Sequence, residues 1–335
     1  MTAILTEHVT TEAKRAIRRP IVALDAGNRS TQWIDPRGNV RTIPSVIKTL
    51  EPWEEAEPDE NSVLVETIEV VDGEQRYSER FILGAEAQIQ KGTPAYEVNK
   101  CELAKRLVYA ALEPMPGQNT VIVECLRVAL PDARNKDNVA LLQQLEGVHE
   151  FERNGERIYA SIRQVQPMDE TRSAYRFVRA NSLLKSPKSV NGILDLGGGT
   201  GIGRLYSGSG TLQRQADVVL PGTYALAQKI NAALMHVTSE SQSLSLIMDA
   251  IADGSFTIGT TGRGFAGIFP KCRDAWLEDI RGKLRTAWGS YLAELGEVLI
   301  IGGSAPLAKP IEESTKGRFL IAEDPQNISV RGMVL

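Results

Sequence analysis

The order of apolar and polar residues along the chain predicts short strands alternating with amphipathic helices. Mainly apolar runs at residues 21–27 and 120–131 are typical of buried strands and stop at glycine or proline. Runs rich in β-branched residues flank turn residues within 30–45, 62–83 and 149–167, which predicts three hairpins. Helices are predicted at residues 97–112, 171–185, 223–236 and 276–295. The pattern therefore predicts an α/β protein.

One series of elements is predicted twice. A buried strand that ends in an aspartate, a glycine turn and a second strand occupy residues 21–35 and again 192–206. The second series continues with a strand at 212–220, the helix already named, a buried strand at 297–303 and a last helix near Pro306. The interruption "SPKSVNG" predicts a domain boundary near residue 187, and an internal duplication of one αβ unit would account for the repeat.

Composition limits the classes of protein that the chain can represent. Its 335 residues, 42% apolar and 24% charged, are typical of a globular protein with about two domains. A net charge of −4 gives no support to a large nucleic-acid surface. Cys101, Cys125 and Cys272 lack CxxC spacing and are expected to be reduced thiols in a cytoplasmic protein. The first 19 residues have no secretory signal, and no apolar run predicts a transmembrane segment.

Each of the two glycine turns follows an aspartate, Asp25 or Asp195. Four glycines fall within residues 197–201, and clustered glycine indicates close approach of the backbone to a ligand or to another segment of the chain. A strand end that turns sharply exposes N–H groups that suit phosphate oxygens, whereas the aspartate would need a divalent cation held through water. The alternative is that both stretches are ordinary tight turns. No GxGxxG register falls within residues 197–206, and there is no Walker A motif, since the Gly282-Lys283 pair is followed by leucine.

A third glycine-ended strand lies near the end of the chain. In "VLIIGGSAPL", residues 298–307, a buried strand runs into Gly302 and Gly303, and Ser304 is a candidate helix N-cap. Glycines at this point would let a flat adenosine ring lie against the backbone, and a plain turn is again the alternative.

Taken in order, the motifs DxG, DLGGGT and IIGGS resemble the first phosphate loop, second phosphate loop and adenosine loop of the actin-like ATPase superfamily. "DAGNRSTQWID", "LRVALPDARN", "VQPMDETRSAY", "DVVLPGTYALAQKI" and "DPQNISVRGM" are similar to segments of the ParM-like plasmid-segregation actins. The resemblance implies an actin-like (ribonuclease H-like) fold, with two duplicated α/β domains around a nucleotide cleft. Its expected parts are an extension at 1–19, domain I at 20–186, domain II at 187–309, and a segment at 310–335 that returns to domain I.

The resemblance also implies a role for each candidate residue. Asp25 and Asp195 would hold Mg²⁺ through water, and Glu170 would orient the water that attacks the γ-phosphate. The alternatives for Glu170 are a solvated acid at a helix start, and the neighbouring Asp169 as the true partner. The phosphates would be bound by Gly27, Asn28, Arg29, Gly197, Gly198, Gly199 and Thr200, and adenosine would be bordered by Gly302, Gly303 and Ser304.

One position departs from the family pattern. Seven residues after the first aspartate the family commonly has a lysine, and this chain has Gln32. A cation that contacts phosphate is therefore missing, unless Arg29 replaces it.

The implied function is an ATPase that polymerises into nucleotide-dependent, multi-stranded filaments for plasmid or DNA segregation. Its cofactors would be ATP or ADP and Mg²⁺, and its partners would be further copies of itself and a DNA-binding adaptor, without direct contact to nucleic acid. One alternative is a cytoskeletal scaffold that controls cell shape with weak ATPase activity, which Gln32 favours. A small-molecule (sugar) kinase is a further alternative, although the chain leaves little room for a sugar pocket.

Overall fold

Strands and helices alternate in the computed structural model, which describes residues 18–71, 74–95 and 100–335. The strands are β1 (Arg18–Ala26), β2 (Ser30–Ile34), β3 (Val40–Pro44), β4 (Val46–Thr49), β5 (Ser62–Val71), β6 (Glu74–Gly84), β7 (Thr93–Pro94), β8 (Thr120–Leu130), β9 (Gly147–Arg153), β10 (Glu156–Ile162), β11 (Val165–Asp169), β12 (Val190–Leu196), β13 (Thr200–Tyr206), β14 (Val218–Pro221), β15 (Thr257–Ile258), β16 (Arg263–Gly264), β17 (Leu295–Ile301) and β18 (Phe319–Ile321). The helices are α1 (Ala85–Ile89), α2 (Lys100–Ala111), α3 (Lys136–Gln143), α4 (Glu170–Ala180), α5 (Thr223–Thr238), α6 (Leu244–Ala252), α7 (Phe269–Trp288), α8 (Lys309–Ser314) and α9 (Ile328–Met333).

The chain divides into two units. The first contains the chain up to Ser173 together with Ser329–Leu335, and the second contains Ala174–Ile328. This division falls before the predicted boundary near residue 187, because α4 residues pack into the core of the second unit. Tyr175, for example, stacks on Tyr206 of β13 with ring centroids 4.1 Å apart.

The sheet of the first unit curls around its core. Its strand order is β3-β2-β1-β8-β10-β9-β5-β6-β4-β7, with β11 pairing separately with β8. Only Ser45 separates β3 from β4, so the chain itself links strands that lie far apart in this order. The buried side chains of β1, β5, β6, β8 and α2 form one hydrophobic cluster inside the curl.

The second unit repeats part of this sheet. Its order β14-β13-β12-β17-β18 matches β3-β2-β1-β8-β11 in the first unit, with antiparallel pairing in the first two steps and parallel pairing in the last two. Even the register agrees, since Ser30 lies opposite Pro44 and Thr200 lies opposite Pro221. The structure is therefore consistent with the duplication suggested by the sequence.

Three predicted hairpins are confirmed as β2–β3, β5–β6 and β9–β10. At the tip of the third, Asn154 and Gly155 have φ of 52° and 80°, as an Asn-Gly turn requires. The tip of the second hairpin includes residues 72–73, which lie outside the described residues, as do residues 97–99 of the predicted helix at 97–112.

Other boundaries were predicted wrongly. Strand β1 begins at Arg18, inside the predicted extension, because Arg18 and Arg19 pair with β8 and the Arg19 guanidinium donates to Ile34 O over 2.6 Å. Residues 1–17 of that extension lie outside the described part. The predicted strand at 212–220 contains a 3-10 helix, Arg214–Ala216, whose last carbonyl accepts from the Trp288 indole in the core over 2.8 Å.

The long helix predicted at 276–295 begins and ends about seven residues earlier in the structure. Helix α7 begins at Phe269, with a proline in its first turn, and ends at Trp288 before a glycine. Leu295 instead opens β17. Helix 171–185 ends earlier, at Ala180, and helices α1, α3, α6 and α9 were not predicted. Within the described ranges, no helix is long and apolar enough to cross a membrane.

The fully buried Asn191 holds the start of the second sheet. Its amide donates to Ser186 O and Ser189 O over 2.9 and 3.0 Å, and its Oδ1 accepts from Glu297 N over 2.8 Å. These bonds fasten the loop before β12 to strand β17.

We expect Asn191→Ala to lower the free energy of unfolding by about 3 kcal/mol, because several buried backbone groups lose their partner at once. Asn181→Ala is the matched control, since Asn181 is exposed and its side-chain amide donates to Phe177 O. Urea denaturation monitored by tryptophan fluorescence measures both. Similar losses in the two variants would contradict this account.

Candidate functional site

The two glycine turns have the same backbone geometry. In the first loop (residues 25–30), Asp25 lies opposite Gln32, and a Cβ on Gly27 would lie 2.6 Å from Ser30 O. In the second loop (residues 195–200), Asp195 lies opposite Ile202, and a Cβ on Gly197 would lie 2.7 Å from Thr200 O. Real side chains do not approach an oxygen so closely, so both turns require glycine at the third position. The shared pattern is Asp-x-Gly-x-x-Ser/Thr.

The tight-turn interpretation of these glycines is therefore correct for Gly27 and Gly197. It does not account for Gly198 and Gly199, which occupy the positions held by Asn28 and Arg29 in the first loop. All four positions are partly exposed at the end of a buried strand. A turn of this kind can present backbone donors to an anion.

The third glycine segment packs directly against the second loop. Gly302 has φ of 90°. A Cβ added to Gly302 would overlap the Asp195 carboxylate and would lie 2.6 Å from Leu196 O. Ser304 N donates to Leu196 O over 3.0 Å. The structure thus brings Asp195 and the 302–304 segment together at one edge of the second sheet.

The hydroxyl of Ser304 has partners within the protein. It lies within hydrogen-bonding distance of the Thr223 hydroxyl and donates to Gly197 O over 3.4 Å, and Ser304 itself is buried. A ligand beside this segment would therefore meet the backbone of residues 302–304, with the Ser304 hydroxyl supporting the second loop from behind.

In the first unit, the first loop and Glu170 lie at the same edge of the sheet. Leu24 of β1 lies opposite Val128 of β8, which lies opposite Pro167 of β11. The three strands are parallel, so the residues that follow this row emerge at one edge, where ligands bind in open α/β sheets. With a strand spacing of about 4.8 Å, the ends of β1 and β11 are roughly 10 Å apart.

Asp169 and Glu170 differ in their surroundings. The Asp169 side chain is buried, and its Oδ1 accepts from Ala133 N over 3.1 Å, which fastens the loop after β8. Glu170 is partly exposed and is the first residue of α4, where Ser173 Oγ donates to its carbonyl over 3.0 Å. Of the two carboxylates, Glu170 is the one that solvent reaches more readily.

Gln32 occupies a buried position on β2. It is 3% exposed, and its Nε2 donates to Thr42 Oγ1 over 3.4 Å. Because directly opposed residues of antiparallel strands project to one face, Gln32 and Asp25 share a face of the sheet. A neutral amide therefore stands at the position where the sequence resemblance implies a cation.

Each loop, taken by itself, has groups that could contact a phosphate with its metal ion. Glycine-lined turns with no room for a Cβ are suited to phosphate oxygens, and each loop begins with a carboxylate, Asp25 or Asp195, of the kind that Mg²⁺ prefers. In the described ranges, no cluster of three or more His, Cys, Asp or Glu side chains could hold a metal by itself. Mg²⁺ commonly retains waters and binds through one or two carboxylates and substrate phosphates, so such a cluster is not needed.

Comparison with solved structures identifies the fold. Ta0583, an archaeal actin homolog, superposes with a TM-score of 0.75 at 14% sequence identity, covering 94% of this chain and 98% of that one. A 15-stranded ParM filament from Clostridium botulinum gives 0.74 at 14% identity, covering 95% and 98%. The actin-like protein Alp7A gives 0.70 at 15% identity, covering 95% of each chain.

This chain therefore has the actin-like fold, and its predicted structural resemblance to ParM-like proteins is confirmed. No protein-family profile matches the chain, and no curated protein matches its sequence. At 14 to 15% identity the likeness establishes the fold and leaves the activity to be argued from the residues.

Sequence reasoning missed several residues that shape the loops. Ser45 follows Pro44, and its N–H donates to Arg29 O over 2.8 Å. Gly222 follows Pro221 in the second unit and lies against the second loop. The repeated pair Pro-Ser and Pro-Gly, in which the proline is the last residue of a short strand, was the signal that could have identified them.

The contact between Gly302 and Asp195 can be tested against a matched glycine. Gly302 and Gly317 have φ of 90° and 85°, but a Cβ on Gly317 would meet nothing within 4 Å. We expect Gly317→Ala to lower the free energy of unfolding by about 1–2 kcal/mol through left-handed strain alone. Gly302→Ala should lower it further, because the added methyl also displaces Asp195 and Leu196. If thermal or urea unfolding shows the same decrease in unfolding free energy for Gly302→Ala and Gly317→Ala, the space between Gly302 and Asp195 is not restricted.

Proposed function

We propose that this protein binds ATP with Mg²⁺, hydrolyses it, and assembles into filaments in a nucleotide-dependent manner. The observation that carries the proposal is the pair of Asp-x-Gly-x-x-Ser/Thr turns, one in each unit, on strands of matching topology. The solved proteins of this fold include one in complex with ADP and one that is a filament, which supports both parts of the proposal.

The phosphates would be bound by backbone donors of both loops. In the first unit these are residues Gly27, Asn28 and Arg29. In the second, Gly197, Gly198, Gly199 and Thr200 would wrap the phosphates, with the Gly197 N–H held within the turn because it donates to Thr200 O over 3.1 Å. Asp25 and Asp195 would hold Mg²⁺ through water, since a carboxylate beside a phosphate needs a cation to offset the repulsion. Gly302, Gly303 and Ser304 would border adenosine. When bound, the metal would neutralise the charge of the phosphates.

Glu170 would position the attacking water. Phosphoryl transfer to water depends mainly on alignment and charge, and needs one polar group to orient the nucleophile. The partly exposed side chain at the start of α4 suits this role better than the buried Asp169, whose carboxylate fastens the loop at Ala133.

Filaments of this kind would serve plasmid or DNA segregation through a DNA-binding adaptor. A cytoskeletal scaffold with weak ATPase activity is a second candidate, and one observation favours it: the buried, uncharged Gln32 on the face of Asp25. Slow hydrolysis with normal binding and assembly would support the scaffold.

Filament assembly is tested by sedimentation. We expect the purified protein to pellet at high speed with ATP and Mg²⁺, and to remain in the supernatant with EDTA, because assembly requires the metal-bound nucleotide. Negative-stain microscopy of the pellet separates filaments from aggregates. Absence of filaments across a range of salt and nucleotide conditions would contradict the assembly part of the proposal.

The role of Glu170 is tested by Glu170→Ala. We expect phosphate release to fall by about a hundredfold with ATP binding unchanged, because the polar group that orients water is removed. Asp137→Ala is the control, since Asp137 is an exposed acid in the first turn of α3. If both variants hydrolyse ATP like the original protein, Glu170 does not have this role.

A further inference from the structure

The start of helix α5 supports the second loop from behind. Thr223 N donates to Gly197 O over 3.1 Å, and Tyr224 N donates to Gly198 O over 2.8 Å. These residues are the first two of the helix, and Gly222 is its N-cap. Two helix N–H groups that normally lack a helical partner are thus satisfied by two successive loop carbonyls.

These two bonds fix the orientation of the loop's own donors. In a trans peptide the N–H points opposite to the preceding C=O, and the described chain contains no cis peptide bond. Because the Gly197 and Gly198 carbonyls point toward α5, the N–H groups of Gly198 and Gly199 point away from it. Successive N–H groups presented in this way form a concave site for an anion.

Gly222 leaves no room for a side chain between helix and loop. A Cβ on Gly222 would lie 2.6 Å from Gly199 C, 2.6 Å from Thr200 N and 2.7 Å from Gly198 O. All three atoms are backbone atoms of the second loop. The backbone of Gly222, with φ of −82° and ψ of −172°, is one that any residue can adopt, so glycine is needed here only for space.

We propose that Gly222 and the first two N–H groups of α5 are positioning elements, which aim the Gly198 and Gly199 N–H groups at the phosphates of a bound nucleotide. The inference rests on the proposed nucleotide binding and adds which residues set the geometry of the second loop. An added methyl at Gly222 would have to push the loop by about 1 Å to reach ordinary contact distance. That displacement breaks the two bonds from α5.

The first loop is held differently. Ser45, at the position that corresponds to Gly222, donates its N–H to Arg29 O, and its hydroxyl lies 2.7 Å from Thr31 Oγ1. A side chain is accommodated there, so the requirement for glycine after the proline is specific to the second loop.

The first test compares Gly222→Ala with Gly208→Ala. Gly208 is also in the second unit, and a Cβ there would lie 2.7 Å from Lys188 C, so this control adds a similar backbone overlap away from the loop. Calorimetric titration with ADP and Mg²⁺ should show Kd raised about tenfold or more by Gly222→Ala, the loss expected for two hydrogen bonds. Gly208→Ala should leave Kd unchanged, although both variants lose stability.

The same titrations with adenosine distinguish positioning from general damage. Adenosine has no phosphate, so its affinity should be the same in Gly222→Ala as in the original protein. A parallel loss of ADP and adenosine affinity would show that the substitution disturbs the fold, and would overturn the inference. Unchanged ADP affinity would also overturn it.

A second pair of variants covers the case in which Gly222→Ala does not fold. Thr223→Pro removes the N–H that donates to Gly197 O at the first position of a helix, where proline is well tolerated. Thr223→Val keeps that N–H, and both variants lose the hydroxyl contact with Ser304. We expect Thr223→Pro to weaken ADP binding at least several-fold more than Thr223→Val, and equal affinities would overturn the inference.

Failure of this inference and failure of the proposed function give different results. If the original protein binds neither ADP nor ATP, the proposed nucleotide binding is wrong. If the original protein binds ADP and the variants of Gly222 and Thr223 bind it equally well, only the positioning role is wrong.

Discussion

The site depends on a backbone turn in which no Cβ fits. At Gly27 and Gly197 the chain reverses so sharply that a carbonyl three residues later occupies the space of a side chain. In each loop an aspartate lies two residues before the turn glycine, near the end of the preceding strand. The reversal also exposes the middle of the turn at the edge of a parallel sheet, where a ligand can reach it. The strands behind each loop are buried, which gives the loop a rigid base.

Much of the fold followed from local patterns, and the failures have physical causes. Hairpins were predicted well because Asn-Gly and Pro-x-Gly-Asn turns specify their own geometry. Helix ends were predicted poorly because apolar spacing continues across them, as with Leu295, which is buried in β17 rather than in α7. Residues 212–220 are apolar enough for a strand, but part of them forms a 3-10 helix whose Ala216 carbonyl accepts a hydrogen bond from the indole of Trp288, which is far along the chain. Contacts of that range leave no mark on local sequence.

The candidate site, like the fold, was predicted only in part. The aspartates and glycines were found because each lies at a strand end within a recognisable order. The residues that hold them in place, Ser45, Gly222 and Thr223, were not found, because their importance lies in a hydrogen bond or an overlap with a segment far along the chain. The hydrogen bonds of the Ser304 hydroxyl with Thr223 and Gly197 were likewise not predicted from the sequence.

Ser45 joins three parts of the first unit within one residue. Its N–H bonds to the first loop at Arg29, its carbonyl accepts from Ala95 N over 2.8 Å, and its hydroxyl contacts Thr31. Residues 46–94 carry β4 to β7, which form the far end of the same sheet and join its other strands through the β5–β9 pairing. A displacement of β4 would therefore reach the first loop most directly through Ser45, by a far shorter route than along the strands of the sheet.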